Sequence, residues 1–258
     1  MERMLKTTIS RLLSSFNIRV TRLSTFEKLI ANVNAVNDLE FLKSVKPKFR
    51  SDCIDNLKLS RSQLRQDLFV LSELGFKKNG FFVEFGATNG VDLSNSVLLE
   101  KEFGWKGILA EPATGWHAEL MANRNVHIET NCVWKSSGEK LTFKEIGELS
   151  TIETFSNYDN HKEARRNSIK YSVDTISLED LLVKYDAPKN IDYLSIDTEG
   201  SEFEILGDFD FKKYNFKIIT CEHNFTSNRE KIYKLLTKNG YVRKFEQHSQ
   251  FDDWYVLS

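Results

Sequence analysis

From residue 80 onward, short apolar runs alternate with stretches whose apolar positions recur every three or four residues. The runs at 80–85, 107–111, 126–133, 192–197 and 216–222 predict strands, and the stretches at 92–103, 112–123, 177–185, 200–206 and 229–238 predict helices. Ser62 is placed to cap a helix that runs to Leu74 and stops at Gly75, Pro112 to open one, and Ser177 to cap another with Glu179 and Asp180 in its first turn. Strands that are apolar on both faces and separated by helices predict a mainly parallel sheet covered on both sides. Two last strands, 241–247 and 254–257, predict an antiparallel hairpin at one edge. Residues 138–172 are less regular, with a hairpin expected around 141–145 and a polar stretch near 158–167.

The first 59 residues read differently. Leu5, Ile9, Leu12, Leu13 and Phe16 fall at helical spacing, as do Phe26, Leu29, Ile30 and Val33. This segment holds eleven Lys/Arg against six Asp/Glu. Two or three basic helices are expected here, ending near Lys46-Pro47, as a lid or a contact between two copies in a homodimer. Arg11, Arg19 and Arg22 interrupt every apolar run that a signal peptide would need. Residues 60–258 then form the predicted second domain, the alternating α/β part of the chain.

Composition narrows the function. The chain has 258 residues and a net charge of −1, so no large basic field is available for nucleic acid. No apolar run approaches the roughly 20 residues of a membrane span. Cys53, Cys132 and Cys221 are scattered and form no zinc or disulfide pattern, which suits the cytoplasm.

Ligands of an open parallel sheet bind at the carboxyl ends of its strands, near the switch in strand order. Glu84, Glu111, Asp197 and Glu222 mark four such ends. Glu84-Phe85-Gly86-Ala87-Thr88-Asn89-Gly90 is a glycine turn between strand and helix, but it lacks the GxGxxG of a dinucleotide site. Taken alone it reads equally as a structural turn. With Glu111 at the end of the next strand, where a carboxylate can accept ribose hydroxyls, the pair favours a nucleoside cofactor. No GxxxxGK[ST] is present, and the missing GxGxxG disfavours an NAD-linked oxidoreductase.

Residues 80–112, with Ile191-Asp192-Tyr193-Leu194-Ser195-Ile196-Asp197-Thr198-Glu199-Gly200-Ser201-Glu202-Phe203-Glu204-Ile205-Leu206 and Asp174-Thr175-Ile176-Ser177-Leu178-Glu179-Asp180-Leu181, resemble the FkbM family of methyltransferases. The resemblance covers about residues 60–258. It implies a Rossmann-like class I methyltransferase, an α/β fold with a mainly parallel seven-stranded sheet and an antiparallel edge hairpin. It also implies S-adenosylmethionine as cofactor, S-adenosylhomocysteine as product, and O-methylation of sugars or natural products. Carried over, Glu84, Gly86 and Asn89 would line the methionine end, Glu111 would hold the ribose, Cys132 and Val133 would pass the adenine, and Gln66 and Asp67 would close over the cofactor. Thr88-Asn89 departs from the family of folds, many of which place another glycine there.

Methyl transfer to a sugar hydroxyl also needs help with the proton. Three arrangements are open. His223 is a candidate base, since imidazole titrates near neutrality. Asp197 and Glu222, with Glu199 or His223, are candidate ligands for magnesium or manganese. Otherwise the carboxylates only cap the 200–206 helix and position the acceptor. Adjacent strand residues face opposite ways, so Glu222 and His223 are not expected at one atom. Glu199, Tyr158 and Phe225 are the candidate acceptor contacts, ahead of Trp116, Phe155 and Trp254. The sequence expectation is O-methylation of a nucleotide-sugar or a bacterial surface-glycan precursor. The alternatives are a polyketide or other natural-product methyltransferase and a non-catalytic S-adenosylmethionine-binding protein.

Overall fold

A computed structural model describes residues 21–157 and 161–258. The helix expected from Leu5 to Phe16 and the side chain of Tyr158 lie outside the described residues. The chain divides into two compact units, Met1–Lys43 and Ser44–Ser258, so residues 44–59, counted above with the extension, lie in the larger unit. The described part of the smaller unit is essentially one helix, α1 (Leu23–Ser44), on which Leu29, Val33, Val36 and Leu39 are exposed.

In the larger unit α2 (Arg50–Asn56) and α3 (Gln66–Glu73) precede β1 (Phe81–Phe85), α4 (Val97–Phe103), β2 (Lys106–Ala110), α5 (His117–Asn123) and β3 (His127–Glu129). After the excursion described below come α6 (Leu178–Lys184), β8 (Asn190–Ile196), α7 (Glu202–Gly207), β9 (Asn215–Glu222), α8 (Asn228–Lys238), β10 (Tyr241–Lys244) and β11 (Asp252–Leu257). The main sheet has the order β10-β11-β9-β8-β1-β2-β3. Its first five strands in chain order (β1, β2, β3, β8 and β9) pair in parallel, and β11 joins β9 and β10 antiparallel, which puts the hairpin at the edge. Strand order reverses at β1 and β8, so their carboxyl ends frame the ligand crevice of such a sheet.

Burial explains the register. From Ile191 to Ile196 every residue of β8 is buried, as a central parallel strand requires. Val83, Ile108, Leu194, Ile196 and Ile219 meet Leu181, Leu182, Leu206, Ile232 and Leu236 of the helices in one apolar cluster. Ser177 caps α6 as expected, its side chain accepting the Asp180 N–H at 3.1 Å.

Several expectations are corrected. The single strand at 126–133 is two strands in different sheets. Asn131 N donates to Glu129 Oε1 at 2.9 Å, turning the chain between them. Beyond that turn β4 (Cys132–Trp134), β5 (Lys140–Glu145), β6 (Thr151–Ile152) and β7 (Ile169–Ser177) form a second sheet, order β4-β7-β5-β6, and β7 was not anticipated. The helix expected from Asp92 begins only at Val97, because Ser94, Asn95 and Ser96 turn their donors onto Glu84 instead. Helix α3 starts at Gln66 after Arg65 at φ 69°, yet the Ser62 hydroxyl still accepts an N–H of its first turn, that of Asp67. Pro112 leads first to a 3-10 turn at Thr114–Trp116, and the strand expected through Gln247 ends at Lys244.

Candidate active site

The carboxyl ends of β1, β2 and β8 open into a cleft of about 980 Å³, counted out to its mouth. Its walls include Glu84, Gly86 and Thr88 after β1, Glu111 after β2, and Asp197, Thr198 and Glu199 after β8. Cys132 and Val133 of β4 and Phe143 and Ile152 of the second sheet form an apolar side. The mix of an apolar wall with a few polar groups is that of a small-molecule site.

Glu84 is held rigidly. It accepts the Asn95 N–H at 2.7 Å and the hydroxyls of Ser94 and Ser96, and Arg124 lies 3.9 Å away. Glu111 uses one oxygen for the Thr88 N–H and the other for the Ala113 N–H, both at 2.8 Å. Each oxygen keeps a lone pair for a further donor. Burial raises the Glu111 carboxyl to about 7, against those two N–H bonds. At Gly86, with φ +74°, an added Cβ would stand 2.0 Å from the Asp197 carbonyl oxygen. The turn therefore brings the β1 and β8 ends into direct backbone contact, a spacing that only glycine permits.

Beyond β8 lies a carboxylate group. One oxygen each from Asp197, Glu199 and Glu222 fall within 4.8 Å of one another. Burial and the neighbouring charges of Asp197, Glu199 and Glu202 drive the Glu222 carboxyl well above its usual range. Burial also raises Asp197, while the hydrogen bond with Glu222 works the other way. Glu222 is thus the protonated member, donating to the Asp197 carboxylate, and Asp197 is the one that lines the cleft. Glu199 accepts from Arg165 Nη2 at 2.8 Å and Asn224 Nδ2 at 3.2 Å. Arg165, fully buried, also donates to the Leu149 carbonyl at 2.7 Å, which ties Leu149 to Glu199.

The residues singled out in the sequence separate accordingly. Glu84, Gly86, Glu111, Cys132, Val133, Asp197, Glu199 and Gln66 share the cleft. Glu222 stands behind Asp197. Asn89 is engaged in its own turn, accepting from Val91 N and Asp92 N and donating to Asp92. Asp67 is buried beside Ser60, to which it is bonded at 2.7 Å, and does not line the cleft. His223 is also turned away. Its Nδ1 accepts the Phe225 N–H at 3.0 Å, and its Nε2 faces Asp253 Oδ1 at 3.7 Å on the other side of β9. Alternation along the strand gives the cleft side to Glu222 and denies it to His223. Phe225 is exposed outside the cleft walls, and Phe155 and Trp254 are core, packed on Trp134 and Phe69.

Sequence reasoning missed Asp252, which pairs in register with Glu222 and accepts from Gln66 Nε2 at 2.8 Å. Burial, then the Asp197 charge, raises it to about 8. Its place next to Glu222 was recoverable only from the hairpin register. Asn95 and Arg165 were missed too. Asn95 follows a glycine turn in a Ser-Asn-Ser run, a usable signal, whereas Arg165 sits in an irregular stretch that gave none.

The methyltransferase FkbM domain matches residues 84–254. No curated protein matches the sequence. Among solved structures, the methyltransferase FkbM of Methylobacillus flagellatus is 13% identical, covering 86% of this chain and 58% of that one at a TM-score of 0.46. A precorrin-6y C5,15-methyltransferase of Geobacter metallireducens is 12% identical over 69% and 71% of the two chains, at a TM-score of 0.38.

Proposed function

Because the chain belongs to the FkbM family of methyltransferases, we propose that it transfers a methyl group from S-adenosylmethionine to a sugar hydroxyl. The acceptor in this reading is a nucleotide-sugar or the precursor of a bacterial surface glycan, met in the cytoplasm. The observation that carries it is that Glu84, Glu111 and Asp197, from three adjacent strand ends, line one cleft.

The residues fit the cofactor. S-adenosylmethionine is cationic at its sulfonium and amino groups, and the cleft wall offers it the carboxyl groups of Glu84 and Asp197. Glu111 retains acceptor capacity for two ribose hydroxyls, and Cys132, Val133 and Phe85 offer the apolar wall an adenine needs. When bound, the cofactor supplies a methyl group activated for in-line displacement.

What the chain must add is orientation and a place for the acceptor proton. Asp197 is the ionised carboxylate facing the cleft, and Glu222 behind it holds the proton that would otherwise neutralise it. Asp197 would accept the proton of the acceptor hydroxyl, while Glu199, held by Arg165, would fix the far wall. A second reading has its own support. Asp197, Glu199 and Glu222 offer three carboxylate oxygens close enough for one divalent cation, and oxygen ligands suit magnesium or manganese. Such an ion would replace the shared proton and acidify a bound hydroxyl.

Calorimetric titration with S-adenosylmethionine and with NAD, followed by mass analysis of a panel of sugars and nucleotide-sugars, tests the function. Binding of the first ligand alone and gain of one methyl by a sugar are expected. Binding without turnover on any class of acceptor would point to a non-catalytic protein, and methylation of a polyketide alone would remove the sugar. Asp197→Asn should lower kcat by about a hundredfold or more with little change in cofactor affinity. Activity that vanishes on chelation and returns with magnesium or manganese selects the metal reading over the carboxylate base.

A further inference from the structure

The charge of the cleft bears on which sugars can enter it. Six acids line it: Glu84, Asp92, Glu111, Glu148, Asp197 and Glu199. Among the described residues no lysine, arginine or histidine does. Two of the six are paired from behind, Glu84 with Arg124 at 3.9 Å and Glu199 with Arg165 at 2.8 Å, and neither arginine lines the cleft. Arg124, fully buried, donates to Glu100, the Gly90 carbonyl, Ser94 and Ser96. Arg165 donates to Glu199 and the Leu149 carbonyl. Lys144 donates to Ser156.

A second, independent feature points the same way. Asn95 lines the cleft and is nine-tenths buried; its Nδ2 donates to Ser195 Oγ at 3.0 Å, yet its Oδ1 has no partner among the described residues. A buried carbonyl oxygen left without a donor is costly, so an occupant that brings an O–H or N–H is favoured there. A phosphate brings only acceptors and negative charge. In a cleft walled by carboxylates it would lose its water with no cationic side chain of the wall to replace it.

We infer that the sugar residue entering this cleft carries no phosphate or carboxylate, so that the acceptor is a neutral or amine-bearing glycoside and not a nucleotide-sugar. The inference rests on the sugar O-methyltransferase reading and chooses between its two acceptor classes. Asp92 and Glu148, both exposed, act at longer range, repelling anions before they reach the inner carboxylates. That part of the selectivity is screened by salt.

The test is a matched series on the full chain with saturating S-adenosylmethionine: for each of several hexoses, the methyl glycoside, the 2-amino-2-deoxy methyl glycoside, the sugar 1-phosphate and the nucleoside diphosphate sugar. The expected result is a kcat/KM at least tenfold higher for the neutral or aminated glycoside than for its phosphorylated counterparts. The ratio should shrink when ionic strength rises, and Glu148→Gln should narrow it further. A phosphorylated sugar methylated as well as or better than its neutral partner overturns the inference while leaving sugar methylation standing. A phosphorylated sugar that reacts only with magnesium present also overturns it, since the anion then enters on a metal held by Asp197, Glu199 and Glu222. If S-adenosylmethionine binds but no sugar of either series is methylated, the sugar reading itself falls and this inference falls with it.

Discussion

Glu111 shows how one side chain can serve two demands at once. Two backbone N–H groups fix its orientation, and burial leaves its carboxyl near 7 where an exposed glutamate would stay near 4.5. Ribose hydroxyls donate, so they favour the ionised form, and cofactor binding must expel a proton wherever Glu111 is still protonated. Affinity for S-adenosylhomocysteine should therefore tighten as pH rises, by about tenfold between pH 6 and 8. Glu111→Gln should bind weakly and with a much flatter pH profile, and Glu111→Ala should lose about 1–3 kcal/mol of binding energy. Calorimetry across this pH range decides it. A folded Glu111→Ala protein with wild-type affinity would remove the residue from the site. His223 makes the opposite point. It looked like the natural base in the sequence, but the alternation of β9 allows only one of two neighbours to face the cleft, and which one depends on sheet geometry that no local pattern encodes.

At the scale of elements, what was legible was whatever burial writes as an unbroken apolar run. Strands β1, β2, β8 and β9 are such runs, and their acidic ends were found with them. The second sheet was not found, although β7 does alternate: Val173 and Thr175 are buried while Lys170, Ser172 and Asp174 are exposed. A half-exposed strand surrounded by polar loops gives a weaker signal than a buried one, and its partner β4 was hidden inside the run from 126 to 133. That sheet supplies the apolar wall of the cleft, so the acidic half of the site was readable and the apolar half only in fragments. The junction of β1 and β8 is the most sensitive point. Gly86→Ala combines a positive φ with a Cβ placed 2.0 Å from the Asp197 carbonyl, so the two strand ends would have to part. A loss of about 2–4 kcal/mol in urea unfolding is expected, together with loss of S-adenosylhomocysteine binding. A Gly86→Ala protein of wild-type stability and affinity would show that the two ends tolerate separation.

For the whole molecule, the buried acids set how stability varies with pH. Glu111 and Glu202 are raised to about 7 and Asp252 to about 8, in each case chiefly by burial. Carboxyls raised in the folded state hold protons that the unfolded chain has already released, so the native state binds more protons between roughly pH 4.5 and 8. Unfolding free energy must then fall as pH rises through that window. Acids shifted downward behave oppositely but elsewhere on the scale. Burial disfavours the charge of Asp192, yet Lys217 and Lys77 hold it below the usual carboxylate range. Burial likewise opposes Asp253, which His223 and Arg229 keep ionised. Their stabilisation is complete above the ordinary carboxylate pKa and is lost only as pH falls below it, so it adds no slope near neutrality. The free enzyme should therefore melt at a lower temperature at pH 8 than at pH 5.5, by roughly 5–10 °C for a chain of this size. S-adenosylmethionine, whose ribose hydroxyls would donate to Glu111 in the cleft, should lift Tm more at pH 8 than at pH 5.5, because the ionised carboxylate is the better acceptor. Scanning fluorimetry with and without cofactor across this range measures both effects. A free-enzyme Tm that stays level or climbs toward pH 8 would mean that these acids are paired or hydrated in solution and hold no extra protons in the folded state.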